Sequence, residues 1–130
     1  IIYTKSPTSD FPMGIIKQNK LNRTGVVSVL YGVFTPETTE IGYLLDAYFS
    51  NWVATYNYLK PLVRKGAKNT MNIGNDEFLN GEPILLPTAK AEQKKLAEFL
   101  SCVDRKIEAV DKGLHDTNKW KKGLLQKMFV

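Results

Sequence analysis

The side chains best suited to bond chemistry in this sequence are a single histidine, His115, and a single cysteine, Cys102. A histidine can serve as a general base and a cysteine thiolate as a nucleophile, but each needs a neighbouring group that activates or orients it. His115 falls on the polar flank of a predicted helix, which favours a solvated or packed side chain over a general base. Cys102 has no histidine nearby in the sequence, so we expect a small buried apolar side chain.

The remaining sequence adds no catalytic signature. It contains no glycine-rich phosphate loop, no metal-ligand spacing and no Asn-Pro-Pro-Tyr tetrapeptide of the methyltransferase type. Its acidic residues are scattered rather than paired. We therefore expect a non-catalytic chain with no catalytic residue, cofactor or metal site.

Composition and charge set the broad class of the protein. The chain of 130 residues is 43% hydrophobic and 24% charged, an ordinary globular composition. No apolar run approaches the roughly eighteen residues of a membrane span, and a lone cysteine fits a reducing cytoplasm. The net charge of +5 lies mainly after position 87, where ten basic residues face six acidic ones. This excess permits polyanion binding, with a solvated helix face as the alternative.

The first 87 residues alternate short β-type and helical patterns and predict a small mixed head. Residues 26–34 are dense in β-branched and aromatic residues and predict a central strand, in which Gly32 marks a bulge or a close backbone approach. Helices are predicted from Thr39 and over residues 51–65, with a kink or break at Pro61. We expect short strands at 1–4, 13–17, 71–73 and 83–87, and a capped helical turn from Asn75. One face of the first helix should carry Tyr43, Leu44, Ala47 and Tyr48.

Six aromatic residues of the two helices are interpreted as part of the core rather than as a platform that stacks on bases. They are Tyr43, Tyr48, Phe49, Trp52, Tyr56 and Tyr58.

The last third of the chain carries a heptad pattern that predicts one long helix seeking a helical partner. Eight of ten positions spaced alternately by four and three residues are apolar, and a helix over 88–130 would be roughly 60 Å long. Thr88 is the expected N-cap, and Gly113 predicts a bend or a split. The positions are Leu96, Leu100, Val103, Ile107, Val110, Leu114, Thr117, Lys121, Leu124 and Met128.

The end of this helical arm is more apolar than an exposed tail should be. Four lysines and no acid follow position 118, interleaved with apolar side chains, a composition that suits docking against another protein. The predicted docking residues are Trp120, Leu124, Leu125, Met128 and Phe129. The sequence thus predicts an α+β fold: a small mixed α/β head followed by a long C-terminal coiled-coil helix.

Four segments of residues 83–130 carry a family pattern. They are Leu85-Leu-Pro87, Glu92-Gln93-Lys-Lys-Leu-Ala, Phe99-Leu-Ser-Cys-Val-Asp104-Arg-Lys-Ile107 and Lys121-Lys-Gly-Leu-Leu-Gln-Lys-Met-Phe-Val130. The pattern consists of a proline-bounded strand, an "EQ" at the helix start, an "L/V-D-x-x-I" motif and a lysine-rich apolar end. By these motifs, residues 83–130 resemble the C-terminal portion of the specificity (S) subunit of bacterial type I restriction–modification enzymes. Residues 1–82 resemble the later part of a target recognition domain more loosely.

The resemblance implies a chain that reads half of a split DNA target and performs no chemistry. It implies residues 1–87 as a partial target recognition domain, because the family usually has well over a hundred residues there, and the initial Ile1 also predicts a fragment. It implies 88–130 as a spacer that docks methyltransferase subunits and, through them, the restriction subunit. A homodimer through the arm is a further expectation, with the pairing residues Leu96, Leu100, Val103, Ile107, Val110 and Leu114.

Double-stranded DNA is the ligand expected from the resemblance, and two basic loops are the segments expected to contact it. Lysine and arginine neutralise phosphates, and Arg, Asn and Gln bond base edges. For any one of the candidate residues, an ordinary charged side chain in a solvated loop is an equal alternative. For the whole chain, the alternative is a coiled-coil scaffold that does not bind DNA. The candidates are Lys17, Asn19, Lys20, Arg23, Lys60, Arg64, Lys65, Lys68 and Asn69.

Overall fold

The computed structural model describes residues 1–21, 23–65 and 71–129. It has a mixed α+β architecture with a long C-terminal helix, as the sequence predicts. Along the chain the elements are β1 (Ile2–Thr4), β2 (Ile15–Lys17), β3 (Tyr31–Val33), α1 (Thr39–Ser50), α2 (Trp52–Leu59), β4 (Arg64–Lys65), β5 (Met71–Asn72), α3 (Asn75–Leu79) and α4 (Lys90–Met128).

A three-stranded antiparallel sheet of order β2-β1-β3 begins the fold. Tyr3 at its centre pairs with Ile16 on one side and Gly32 on the other, and all three are buried. Gly14 enters β2 with φ of +89°, and a Cβ there would lie 2.2 Å from the Thr4 carbonyl oxygen. Only glycine fits this entry to the strand, because both the positive φ and the close backbone oppose a side chain.

The predicted long central strand over 26–34 is wrong. Only Tyr31–Val33 is a strand, and it lies at an edge of the sheet. The partner strand β1 is only three residues long, so the residues before Tyr31 have no strand residue to pair with. Val26, at the start of the predicted strand, is fully exposed. Gly32 confirms the predicted close approach rather than a bulge: the register is regular there, and a Cβ would lie 2.8 Å from the Phe34 ring.

Helices α1 and α2 are joined through one residue. Thr38 caps α1 by accepting the Ile41 N–H at 3.1 Å. Asn51 ends α1 and caps α2, because its Oδ1 accepts two N–H groups of the first turn of α2. Helix α2 ends at Leu59, which confirms the break predicted at Pro61 and shortens the helix predicted over 51–65.

The buried face of α1 differs from the predicted one. Its buried residues are Gly42, Leu44, Asp46 and Phe49, whereas Tyr48 is exposed. The aromatic interpretation also needs correction for Trp52, which is 56% exposed. Phe49, Tyr56 and Tyr58 belong to the core or pack against it, as expected.

The core of the head is centred on Phe78 of α3, which is 6% exposed. The Tyr58 hydroxyl donates to the Phe78 carbonyl oxygen at 2.6 Å and fixes α3 against α2. Burial raises the pKa of both Tyr3 and Tyr58, with a smaller contribution at Tyr58 from Tyr48. The ring centroids around Phe78 lie at 4.4 Å for Phe34, 5.4 Å for Tyr3, 5.5 Å for Tyr58 and 6.4 Å for Phe49.

Two predictions about the approach to the long helix are wrong. Residues 83–87 form no strand, and α4 begins at Lys90 rather than directly after Thr88. The helix runs on for 39 residues, about 58 Å at 1.5 Å per residue, without the split proposed at Gly113. The chain divides into two compact units, Ile1–Lys94 and Lys95–Val130. Within the described ranges, no helix has both the length and the apolarity to cross a membrane.

Candidate nucleic-acid contacts and the exposed helix stripe

The first basic loop leaves β2 and is tied to α1 by a buried carboxylate. The Lys20 Nζ lies 2.9 Å from Asp46 Oδ2, and the Lys17 Nζ lies 3.9 Å from Asp46 Oδ1. The Gln18 N–H donates to the same Oδ1 at 3.0 Å. The structure thus brings two predicted contacts, Lys17 and Lys20, together at one acid.

The two other described candidates of this loop are exposed. The Asn19 Oδ1 accepts the Leu21 N–H at 3.0 Å, which turns the chain and leaves the Asn19 amide NH₂ as its donor group. Arg23 lies in a bend of the same loop. Both positions are open to a polyanion, in agreement with the expected exposed loop.

The second basic segment follows α2. Lys60 caps the end of α2, with its Nζ 5.6 Å from the centre of the Tyr56 ring. Arg64 begins β4 and lies 3.7 Å from Glu77, but its side chain is 83% exposed, so this pair is weak and easily exchanged for another anion. Lys65 contributes its backbone to β4. Lys68 and Asn69 lie outside the described residues.

An apolar stripe follows the length of α4. Five of the six predicted pairing residues are exposed in the single chain, from 39% at Leu96 and Val103 to 69% at Val110, and Leu100 is partly buried. A surface helix of a globular protein normally buries such a stripe against another element. The predicted pairing residues therefore share one face, and most of that face is open. They are Leu96, Leu100, Val103, Ile107, Val110 and Leu114.

The predicted docking residues at the end of α4 are also exposed. Trp120 is 67% exposed and Met128 is 69% exposed. Next to Trp120, a shallow groove of about 380 Å³ runs past Gly123, where the missing side chain leaves open space. Lys119, Lys127 and Asp116 line the same groove, so it combines an apolar floor with two positive charges and one negative charge. Leu124, Leu125 and Phe129 complete the set, at 38%, 44% and 80% exposure.

The two side chains considered for bond chemistry lie on α4. His115 is exposed. Cys102 is exposed as well, which overturns the expectation of a buried side chain, because even the adjacent stripe residue Val103 is 39% exposed in the single chain. In the part of the chain that the structure describes, no group of three or more His, Cys, Asp or Glu side chains is arranged to hold a metal ion.

Asp46 is the site residue that sequence reasoning missed. Its side chain is 6% exposed, yet it gathers two lysines and a backbone N–H. It also influences the Ile1 amino group: burial lowers the pKa of that group, and the Asp46 charge opposes the lowering. The available signal was a lone acid within an otherwise uncharged run, 41–49, of a predicted helix.

Comparisons with protein-family models, with curated proteins and with solved structures find no match to this chain.

Proposed function

We propose that this chain is a non-catalytic DNA sequence-specificity component of a type I restriction–modification system. In this proposal the head reads half of a split DNA target, and α4 docks the methyltransferase subunit and sets the spacing. The restriction subunit joins through the methyltransferase subunit, and the assembly works in the cytoplasm on double-stranded DNA. A second copy of the chain is the other proposed occupant of the arm.

The observation that carries the proposal is the open apolar stripe on α4. A helix of 39 residues with exposed Ile107, Val110 and Leu114 needs a partner helix to remove that surface from water. A spacer that docks other subunits is a function in which such a helix is required. The exposed Asn19, Arg23 and Arg64 in the head supply the side-chain types that contact phosphates and bases.

A coiled-coil scaffold without DNA binding is the second candidate. It is favoured by the partial pairing of basic residues in the head: Lys17 and Lys20 share Asp46, and Arg64 is close to Glu77. Charges already engaged with carboxylates add less to the attraction of DNA than free ones.

Fluorescence anisotropy with a labelled duplex of mixed sequence separates the two candidates. The chain, a type I methyltransferase subunit and their mixture are titrated at several salt concentrations. The DNA-specificity proposal expects the mixture to bind more tightly than either component and to lose affinity as salt increases. A complex of chain and methyltransferase that binds DNA no better than the methyltransferase alone would support the scaffold. Absence of any complex would contradict both docking roles.

A further inference from the structure

The basic loop after β2 contains a built-in counter-ion. Asp46 is held on α1, whose neighbours Leu44 and Phe49 are buried in the head. Its carboxylate is almost fully removed from solvent, whereas the side chains of Lys17 and Lys20 are 51% and 48% exposed. The acid is therefore fixed, and the two ammonium groups are the parts that face water.

Ser50 extends the arrangement by one helical turn. Its Oγ accepts a hydrogen bond from the Lys17 Nζ at 2.7 Å and donates one to the Asp46 carbonyl oxygen at 2.8 Å. Lys20 is placed on the other carboxylate oxygen and also lies 4.5 Å from the centre of the Tyr43 ring. Each lysine thus has a defined anchor on α1, and the backbone between them is tied to the same carboxylate through the Gln18 N–H.

The charges of this cluster do not cancel. Two lysines and one carboxylate leave one net positive charge at a surface where the lysines alone would present two. Because a protein's salt-dependent affinity for DNA follows the number of phosphates it neutralises, the carboxylate removes the equivalent of one phosphate contact from this loop. A buried partner is screened less by salt than an exposed one, so the effect persists at physiological ionic strength.

We propose that Asp46 is a positioning residue for DNA contact: it fixes the path of the 17–20 loop and withholds one positive charge from sequence-independent attraction to DNA. This inference rests on the proposed function. Every duplex presents the same phosphates, so an internal acid lowers this attraction for all sequences alike. The exposed Asn19 lies between Gln18 and Lys20 and is then presented from a backbone that Asp46 holds in place.

The test compares Asp46→Asn with Glu82→Gln in the full chain, mixed with the methyltransferase subunit, on a mixed-sequence duplex. Both variants remove one negative charge, but Glu82 is an exposed residue after α3. Asparagine has the shape of aspartate and can still accept the Gln18 N–H. For Asp46→Asn we expect the slope of log K against log salt to steepen by about 0.9, which is about 3.5-fold more affinity lost between 50 and 200 mM salt. Glu82→Gln should keep the wild-type slope, and adding Lys20→Met to Asp46→Asn should restore it.

A purely structural Asp46 gives a different pattern. Asp46→Asn would then lower the thermal midpoint and leave the slope unchanged, and this result overturns the inference alone. If Asp46→Asn fails to fold by circular dichroism, the variant Lys17→Met with Lys20→Met takes its place, because both side chains are half exposed. The inference expects its slope to fall by about 0.9; a fall of about 1.8, or none, overturns it. Absence of salt-dependent DNA binding by the wild-type mixture overturns the inference together with the proposed function.

Discussion

Truncation of one side chain on α4 tests whether its stripe is a pairing surface. Ile107 is 54% exposed in the single chain, so about half of its apolar surface remains to be buried by a partner. Full burial of an isoleucine is worth about 1.5–3 kcal/mol, and the remaining half therefore about 1 kcal/mol. In a two-fold symmetric pair the same side chain counts twice. Ile107→Ala should therefore weaken the dimer by about 2 kcal/mol, or about 30-fold in Kd.

The substitution separates pairing from helix formation. Alanine has the highest helix propensity, so Ile107→Ala does not weaken α4 itself. Lys112→Ala is the matched control, because five residues further along an ideal helix its side chain lies about 140° around the axis from Ile107. Lys112 is also exposed and shares the same helix environment.

Sedimentation equilibrium over a range of protein concentrations measures both variants against the wild type. Ile107→Ala should shift the midpoint of association to about 30-fold higher concentration, and Lys112→Ala should leave it in place. Leu100→Asp combined with Ile107→Asp should give a monomer throughout, because each copy would bury unpaired charges. Equal shifts for Ile107→Ala and Lys112→Ala would refute pairing through this stripe. A wild-type chain that stays monomeric at the highest concentration would refute self-pairing.

Three further expectations follow from the head. Gly14→Ala should destabilise the head by about 3 kcal/mol in urea unfolding, because a Cβ there meets a backbone carbonyl at a positive φ; an unchanged midpoint would contradict this. Burial raises the pKa of Tyr3, so the folded state keeps the Tyr3 proton to a higher pH than the unfolded state does. The free energy of unfolding should therefore fall as the pH rises above about 10. Tyr3→Phe should make that fall less steep, and an equally steep profile would exclude Tyr3 as its source. Arg64→Ala with Lys68→Ala should weaken DNA binding by the assembled complex and reduce its salt dependence, which anisotropy at several salt concentrations measures; unchanged binding would exclude this segment from the interface.

The strands show where sequence reasoning reached its limit. A high β-propensity identifies a segment that suits a strand, but a ladder also needs a partner of matching length. Continuing the β1–β3 register would place Leu30 opposite Lys5 and Ser28 opposite Pro7, which has no N–H to donate. The pairing therefore stops at Tyr31. Such a limit depends on a distant segment and is invisible in the composition of residues 26–34.

Local signals predicted the helices better. The break at Pro61 and the capped turn from Asn75 follow from the chemistry of their own residues. The α4 helix follows from a periodicity sustained over many turns.

The residue types of the two loops identified the candidate DNA contacts, but they did not reveal which of those side chains are paired with acids. Basic loops were recognisable from their lysines, but the pairing of Lys17 and Lys20 with Asp46 depends on contacts between residues 29 and 26 positions apart. The burial expected for Cys102 failed for a related reason. It required an element covering that side of α4, and the neighbouring stripe residue Val103 is itself 39% exposed.

The uninterrupted course of α4 has a geometric consequence for whatever covers its stripe. Seven residues of an ideal helix fall about 20° short of two full turns, so the apolar positions change direction steadily along the axis. From Leu96 to Met128, roughly four and a half heptads, the accumulated rotation is about 90°. A straight partner lying parallel to α4 would lose the apolar positions before reaching Trp120. A partner that follows them to the end must wind around α4 with a left-handed twist, and the extent of that winding measures how much of the helix is engaged.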